Sequence, residues 1–495
     1  MSESRSSPRV LVTGATGYVG GRLVPALLIR GARVRVLART PAKLARAPWF
    51  EDVEVVAGSL DDDLTDALRG VDVAVYLVHS IGEGPEWARL EARHAENFGR
   101  TAATAGVGRI VYLGGLGRDD DELSEHLASR HRVGEILARS SVPTIELRAG
   151  VVIGSGSASF EMLRYLVEVL PVMVTPRWVA TRCQPIAVSD VLDLLAWAVL
   201  DVAATPGVVE IGGPDVLTYA EMMQHYASIA GLAPRRLIPV PLLTPRLSSH
   251  WVGLVTPVPA PLASELVESL INEVVVAPEH DRTAAILGRP LVPFDEAVTR
   301  ALATTRSGGT PTSFTDADYS VYSAQATDPD WAGGTIRRDV RTRRVRASAE
   351  RAFGAVTGLG GATGWYAGTW LWRVRGLLDT LVGGPGLRRG RPEVLRVGDP
   401  LDFWRVEVLE PARRLVLRAE MRLPGAAYLT YDVTPIDEDS CVVTQTALFY
   451  PRGLWGRLYW YGVAPFHVVV FPGLLAGLAR AAESSPPTGG ASPTE

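Results

Sequence analysis

The stretch LVTGATGYVGGRL, residues 11–23, sets Gly14, Gly17 and Gly20 between a short apolar run and a helical pattern carried by Val19, Leu23 and Leu27. Positions without a Cβ at a strand-to-helix turn let the backbone turn tightly and approach a diphosphate, whose charge is met by N–H groups at the positive end of the helix dipole. The spacing predicts a dinucleotide site. Sites for the unphosphorylated nicotinamide dinucleotide carry an acid at the end of the second strand, where this chain reads VLARTPAKL. Arg39, with Lys43 one helical turn later, would meet a 2′-phosphate by charge-assisted hydrogen bonds, so the expected cofactor is NADP(H) rather than NAD(H). Pro25 falls inside the predicted helix, where it removes a backbone donor.

Groups that could move a proton beside such a cofactor are few. His126 and His131 lie in the helical stretch SEHLASRHRVGEIL, and His79 ends the apolar run DVAVYLVH. Imidazole titrates near neutrality, which suits it to general acid and base work. His131 and His79 are the candidate catalytic residues; the plainer reading places His126 and His131 on an exposed helix side with Glu125, Arg130 and Arg132. Asp190, in AVSDVL, reads as a helix N-cap. The sequence holds no paired-carboxylate pattern, Walker loop, GxSxG elbow or Cys/His spacing for a metal.

The elements that must position these residues alternate. Six short strands, RVLVTG, RVRVLAR, VEVVAG, DVAVYLV, RIVYLGG and TIELRAG, are separated by helical patterns up to about residue 155. That is the signature of an α/β doubly wound parallel sheet of Rossmann type. Residues 156–305 mix helices with short strands and complete a domain spanning 9–305; within it Thr218 and Glu221 have capping-box spacing and Gly231 ends that helix. Residues 306–335, rich in Gly, Ser, Thr, Pro and Asp, read as a linker. A second run of strands from 336 closes on an apolar segment and makes a separate α+β domain, 336–482. Residues 1–8 and 483–495 read as disordered ends.

With 495 residues the chain exceeds one ordinary core, and a formal net charge of −4 gives no reason to expect nucleic acid as a partner. Two distant cysteines, Cys183 and Cys441, support neither a disulfide framework nor a zinc site, and the N-terminus shows no signal-peptide pattern. The expected location is cytoplasmic. Leu458 to Ala479 contains no Asp, Glu, Lys or Arg and is long enough to cross a bilayer. Pro465, Pro472 and His467 inside it favour a buried core helix, with membrane contact through 458–479 as the alternative.

TGATGYVG, DVAVYLVHSI, RIVYLGGLG, TIELRAGVVIG and QPIAVSDV together resemble the atypical, extended short-chain dehydrogenase/reductases, near the isoflavone-reductase-like and nitrogen-regulator-like branch. The resemblance covers residues 9 to about 305. It implies that Gly14, Thr16, Gly17, Tyr18, Val19 and Gly20 line the diphosphate. Arg39 would take the 2′-phosphate, Ser59 and Leu60 would lie by the adenine, and Leu77, Val78 and His79 by the ribose. Ser59 stands where the family commonly has Asp. The family also implies a Ser or Thr after the fifth strand and a Tyr with a Lys four residues on, but this chain has Gly114 and Gly115, Leu127 and His131 there.

The block 336–482 resembles the START and polyketide-cyclase-like superfamily, in which a curved antiparallel sheet grips a long C-terminal helix around an apolar cavity. The strand order, the opening RRVRASAERAFGAV and the final apolar helix carry this likeness. Trp365, Trp370, Trp372, Trp404, Trp455 and Trp460 are aromatics of the kind that line such pockets and also fill cores. The expected function is hydride transfer between NADP(H) and an apolar, quinone-like or polyketide-like molecule. The alternative is a non-catalytic NADP(H)-sensing or ligand-binding protein. Oligomeric state and substrate identity are not readable.

Overall fold

The computed structural model describes residues 7–45, 47–80, 86–118, 123–240, 260–306, 336–360, 364–366, 395–451 and 453–484. Most of the linker, both chain ends and Trp370 and Trp372 lie outside these residues. The chain divides into two compact units, Met1–Gly334 and Thr335–Glu495.

In the first unit seven strands form one parallel sheet: β1 (Arg9–Thr13), β2 (Arg33–Ala38), β3 (Glu54–Ala57), β4 (Val73–Tyr76), β5 (Arg109–Gly115), β6 (Thr144–Ala149) and β7 (Gly207–Ile211). Their order is β7-β6-β5-β4-β1-β2-β3. The central strands read as continuous aliphatic runs because helices cover both faces; Val10, Leu11, Val12, Ala74 and Val75 are all fully buried. The order reverses between β1 and β4, and ligands of such sheets bind outside the strand C-termini at that switch point. The expected parallel α/β architecture is therefore present, with a separate antiparallel domain after it in the chain.

Helix α1 (Tyr18–Ile29) follows β1 and contains Pro25. A proline at this position leaves the carbonyl four residues earlier, that of Gly21, without its helical donor. Trp49 supplies one: its indole N–H donates to Gly21 O at 3.2 Å. Helices α2 (Trp87–Thr104) and α3 (Glu125–Ala138) follow β4 and β5. The capping box forms as read, with the Thr218 and Glu221 side chains each bonded to the other's backbone N–H. Asp190 is not an N-cap. Ala187 occupies that position of α4 (Val188–Leu200), and Asp190, fully buried in its first turn, accepts from Val292 N at 2.8 Å and pairs with Arg289. The sequence motif showed a polar residue near a helix start but not the distant arginine that neutralises it.

The second unit is a six-stranded antiparallel sheet with order β8-β13-β12-β11-β10-β9. Its strands are β8 (Arg337–Val345), β9 (Pro400–Leu401), β10 (Trp404–Glu410), β11 (Arg414–Ala419), β12 (Gly425–Asp437) and β13 (Ser440–Pro451). Helix α6 (Ala349–Thr357) and a long C-terminal helix, Gly453–Ser484, pack on it. Trp365, Phe403 and Trp404 form an aromatic cluster in the core, and the Trp365 indole N–H donates to Asp402 at 2.9 Å.

Candidate functional site

The glycine loop sits at the C-terminal end of β1, at the switch point. Gly14 has φ +74°, and a Cβ there would lie 2.7 Å from Leu77 O; a Cβ on Gly20 would lie 2.3 Å from Gly14 O. Any other side chain would push α1 off the loop. Beneath the loop Thr13 ties two strand ends together: its hydroxyl donates to Val75 O at 3.1 Å and accepts from Leu77 N at 3.2 Å. Gly17 N-caps α1 without any side-chain cap, and the first turn carries no acid, so nothing competes with an anion at this positive helix end. Thr16 is exposed, and Val19 is half-buried.

Tyr18 and Arg22 were legible as loop neighbours only in part. The Arg22 guanidinium, 1% exposed, lies 4.1 Å from the Tyr18 ring centroid and donates to Tyr18 O and to Ser155 O. It fixes the first turn of α1 to the segment after β6 and places a buried positive charge one turn from the loop. Sequence reasoning missed it, because a lone arginine inside a helix carries no signal of its burial.

Arg39 and Lys43 are both exposed just beyond β2, Lys43 ending a short 3-10 turn, Pro41–Lys43. Ser59 and Leu60 follow β3. The Ser59 N–H donates to the Asp62 carboxylate at 2.7 Å, so an acid does reach the place where the family was expected to have one. Asn97 of α2 holds this corner by donating to Leu60 O and Asp62 O, and His94 Nε2 stands 3.1 Å from Asp61. Leu60 is buried, and Leu77, Val78 and the exposed His79 run out from β4.

At the ends of β4 and β5 a polar cluster gathers. Ser80 N and the Ser129 hydroxyl donate to the two oxygens of Glu91, at 2.8 and 2.6 Å. His126 Nδ1 lies 2.8 Å from the Ser269 hydroxyl, on the helix α5 (Ala260–Ser269) that packs against α3. The Ser269 hydroxyl also lies within donating distance, 2.9 Å, of Glu265 O. Burial, then the charges of Arg130 and His79, drive the His126 pKa down to about 3. Glu265 moves the other way. Burial, then Glu268, Glu125 and Glu91, push its carboxyl up to about 7, and its Oε2 is buried without a hydrogen-bond partner. Neither Glu265 nor Ser269 was foreseen, since they come from a helix far along the chain.

His131 is not exposed; its accessibility is 6%, and its Nε2–H donates to Gly115 O at 3.1 Å. Leu127 is buried beside it, and a Cβ on Gly115 would lie 2.8 Å from Leu127 Cδ2. A Cβ on Gly114 would lie 2.6 Å from Glu146 Oε1, and one on Gly134 of α3 would lie 2.2 Å from Glu146 Oε2. Glu146 itself is buried, its pKa raised by that burial against the pull of Arg148, whose Nε donates to it at 2.9 Å. The glycines here make room for a carboxylate, not for a ligand. The structure thus brings together the glycine loop, Ser59, Leu60 and Leu77–His79 around one sheet edge, and puts His131 into the packing beneath it. Among the described residues no group of His, Cys, Asp and Glu is arranged to hold a metal ion.

Residues 14–149 match the family described as NAD(P)H-binding, and residues 331–474 match DUF2867, described as a protein of unknown function. Ceramide reductase of Caulobacter vibrioides is 31% identical over 267 residues, which cover 50% of this chain and 78% of that protein. Sterol demethylase protein B of Methylococcus capsulatus is 34% identical over 113 residues, only 34% of its own length. Among solved structures, the NADPH complex of the quinone oxidoreductase QOR2 of Escherichia coli aligns with a TM-score of 0.48 at 20% identity, over 59% of this chain and 99% of that one. The loop geometry and the 78% coverage agree: the chain belongs to the family of NAD(P)H-binding reductases that includes ceramide reductase.

Proposed function

We propose that the first unit binds NADP(H) and passes hydride between its nicotinamide and an apolar acceptor, a lipid-like ketone or a quinone-like molecule. The observation that carries this is the uncapped, acid-free N-terminus of α1 behind Gly14 and Gly20, with Arg39 and Lys43 exposed beyond β2. When bound, the dinucleotide supplies the hydride. The chain's own residues do the rest. Gly17 and the first turn of α1 hold the diphosphate, and Arg39 with Lys43 meets the 2′-phosphate. The names of ceramide reductase, sterol demethylase protein B and a quinone oxidoreductase support an apolar acceptor.

Leu127 cannot donate a proton, so in this reading the donor comes from the cluster of His79, His126 and Glu265. Glu265 is assigned that role, because a carboxyl with a pKa near 7 is still partly protonated at neutral pH. His131 acts as a positioning residue that holds Gly115. In the second unit the sheet and its long helix support a START-like fold that binds an apolar ligand. The test is oxidation of NADPH, followed by absorbance, with naphthoquinones, enones and long-chain ketones. Oxidation above the rate without protein supports the proposal, and its absence across all three classes contradicts it.

A second reading, a non-catalytic NADP(H) sensor, is favoured by the buried Leu127 where the resemblance places a Tyr. A sensor requires different affinities for NADP+ and NADPH, because a ligand of equal affinity for two states shifts nothing. Equal affinities for the two forms would remove it.

A further inference from the structure

We propose that the N-terminal half of the C-terminal helix docks the second unit onto the surface of an anionic lipid bilayer. The inference is independent of hydride transfer. The apolar stretch that reads as one segment in the sequence is two in the structure: Gly453–Val468 and Val470–Ser484 are bent by 44°. Pro472 accounts for the bend, since its ring displaces the carbonyl of Val468, four residues earlier.

The two halves have different surroundings. Phe471, Leu474, Leu475, Leu478 and Ala482 are buried in the core of the second unit. A straight span would strip that core of its buried apolar side chains, and no single helix among the described residues is long and apolar enough to cross a membrane. In the other half Trp455, Leu458, Tyr461, Phe466 and Val468 are 76%, 50%, 60%, 55% and 61% exposed. Five large apolar side chains on one side of one short helix form a patch, which a soluble surface rarely leaves open without a use. The opposite side anchors the helix: Tyr459 and Trp460 pack on Phe449, and Gly456 fits against Pro424 O so closely that a Cβ would lie 2.4 Å away.

The charge around the patch selects its partner. No Asp or Glu occurs between Gly453 and Val468, and Arg457 lies within it. From the neighbouring edge strand β8, Arg337 donates to the Tyr461 hydroxyl at 2.9 Å with its guanidinium 5.2 Å from the ring. Asp339, on the same face of β8 as Arg337, pairs with Arg341 at 2.7 Å and lies 4.0 Å from His467 Nδ1. Indole and phenol rings that seat at the headgroup level, flanked by Arg337 and Arg457 with the neighbouring Asp339 carboxylate paired to Arg341, fit a negatively charged lipid surface.

The experiment is flotation of the full-length protein with vesicles of phosphatidylcholine alone and of phosphatidylcholine mixed with phosphatidylglycerol. Binding is expected to the mixed vesicles, to weaken with salt, and to fall roughly fivefold for Arg337→Gln. Trp455→Ser with Phe466→Ser is expected to abolish flotation and leave the melting temperature unchanged, because both side chains are exposed. Wild-type protein that fails to float with either vesicle overturns the proposal. So does a concentration-dependent dimer that the same double substitution dissolves without any vesicle binding, which would assign the patch to a second copy of the chain.

Discussion

Two ends of one sheet edge, less than a domain apart, use glycine for opposite purposes. At β1 the missing side chains of Gly14 and Gly20 bring backbone against backbone, 2.7 Å and 2.3 Å from where a Cβ would sit, and leave an open, acid-free helix terminus. At β5 and α3 the missing side chains of Gly114 and Gly134 are filled by the carboxylate of Glu146, while Leu127 closes over Gly115. The first arrangement keeps a place for an anion. The second has no vacancy, and in the proposed reading the proton comes from the neighbouring helix α5. Glycine content alone therefore does not mark a ligand site; what lies within reach of the absent Cβ does.

Substitutions separate the two ends. The largest effect is expected at Gly20→Val, which drives a side chain into the Gly14 carbonyl: NADPH affinity should fall by at least about a hundredfold and stability with it, read by fluorescence titration and thermal melts. Gly134→Ala is expected to act in the other way. Its methyl would meet Glu146 Oε2, costing about 1–3 kcal/mol of stability by denaturant unfolding, with cofactor affinity retained. In the proposed site Arg39→Ala removes a charge-assisted contact from the 2′-phosphate and should weaken NADPH by about tenfold to a hundredfold while NADH changes little. An unchanged ratio of the two affinities would contradict the assignment to NADP(H).

The polar cluster sharpens the comparison through pH. A proton donor with a pKa raised to about 7 is protonated below that value and loses its proton as pH rises through it, so turnover should fall on the alkaline side of neutrality. Glu265→Gln should lower the rate and remove that limb, which a merely structural substitution would leave in place. The smallest effect is expected at Trp49→Phe, which deprives Gly21 O of its donor and should cost about 1 kcal/mol in the melt.

Local signals were legible and distant ones were not. Six of the seven strands of the parallel sheet, the glycine loop and the capping box at Thr218 appear in the sequence because neighbours along the chain create them, whereas the edge strand Gly207–Ile211 does not stand out. Pro25 looked like a fault until Trp49, brought back by the turn after β2, supplied the missing donor. Arg22 and Glu265 escaped for the same reason: their roles depend on Ser155 and α3, which folding alone brings to them. The apolar run at 458–479 has one composition and two environments, which hydropathy cannot distinguish and the bend at Pro472 does.

The central claim is that an intact cofactor end still serves hydride transfer despite the closed packing at Leu127. It is tested most directly by incubating the protein with NADPH deuterated at C4 and the panel of quinones, enones and long-chain ketones, then weighing the products by mass spectrometry. The account predicts a reduced product carrying deuterium from one face of the nicotinamide. Tight NADPH binding with no labelled product from any acceptor would contradict it and leave the sensor as the better reading.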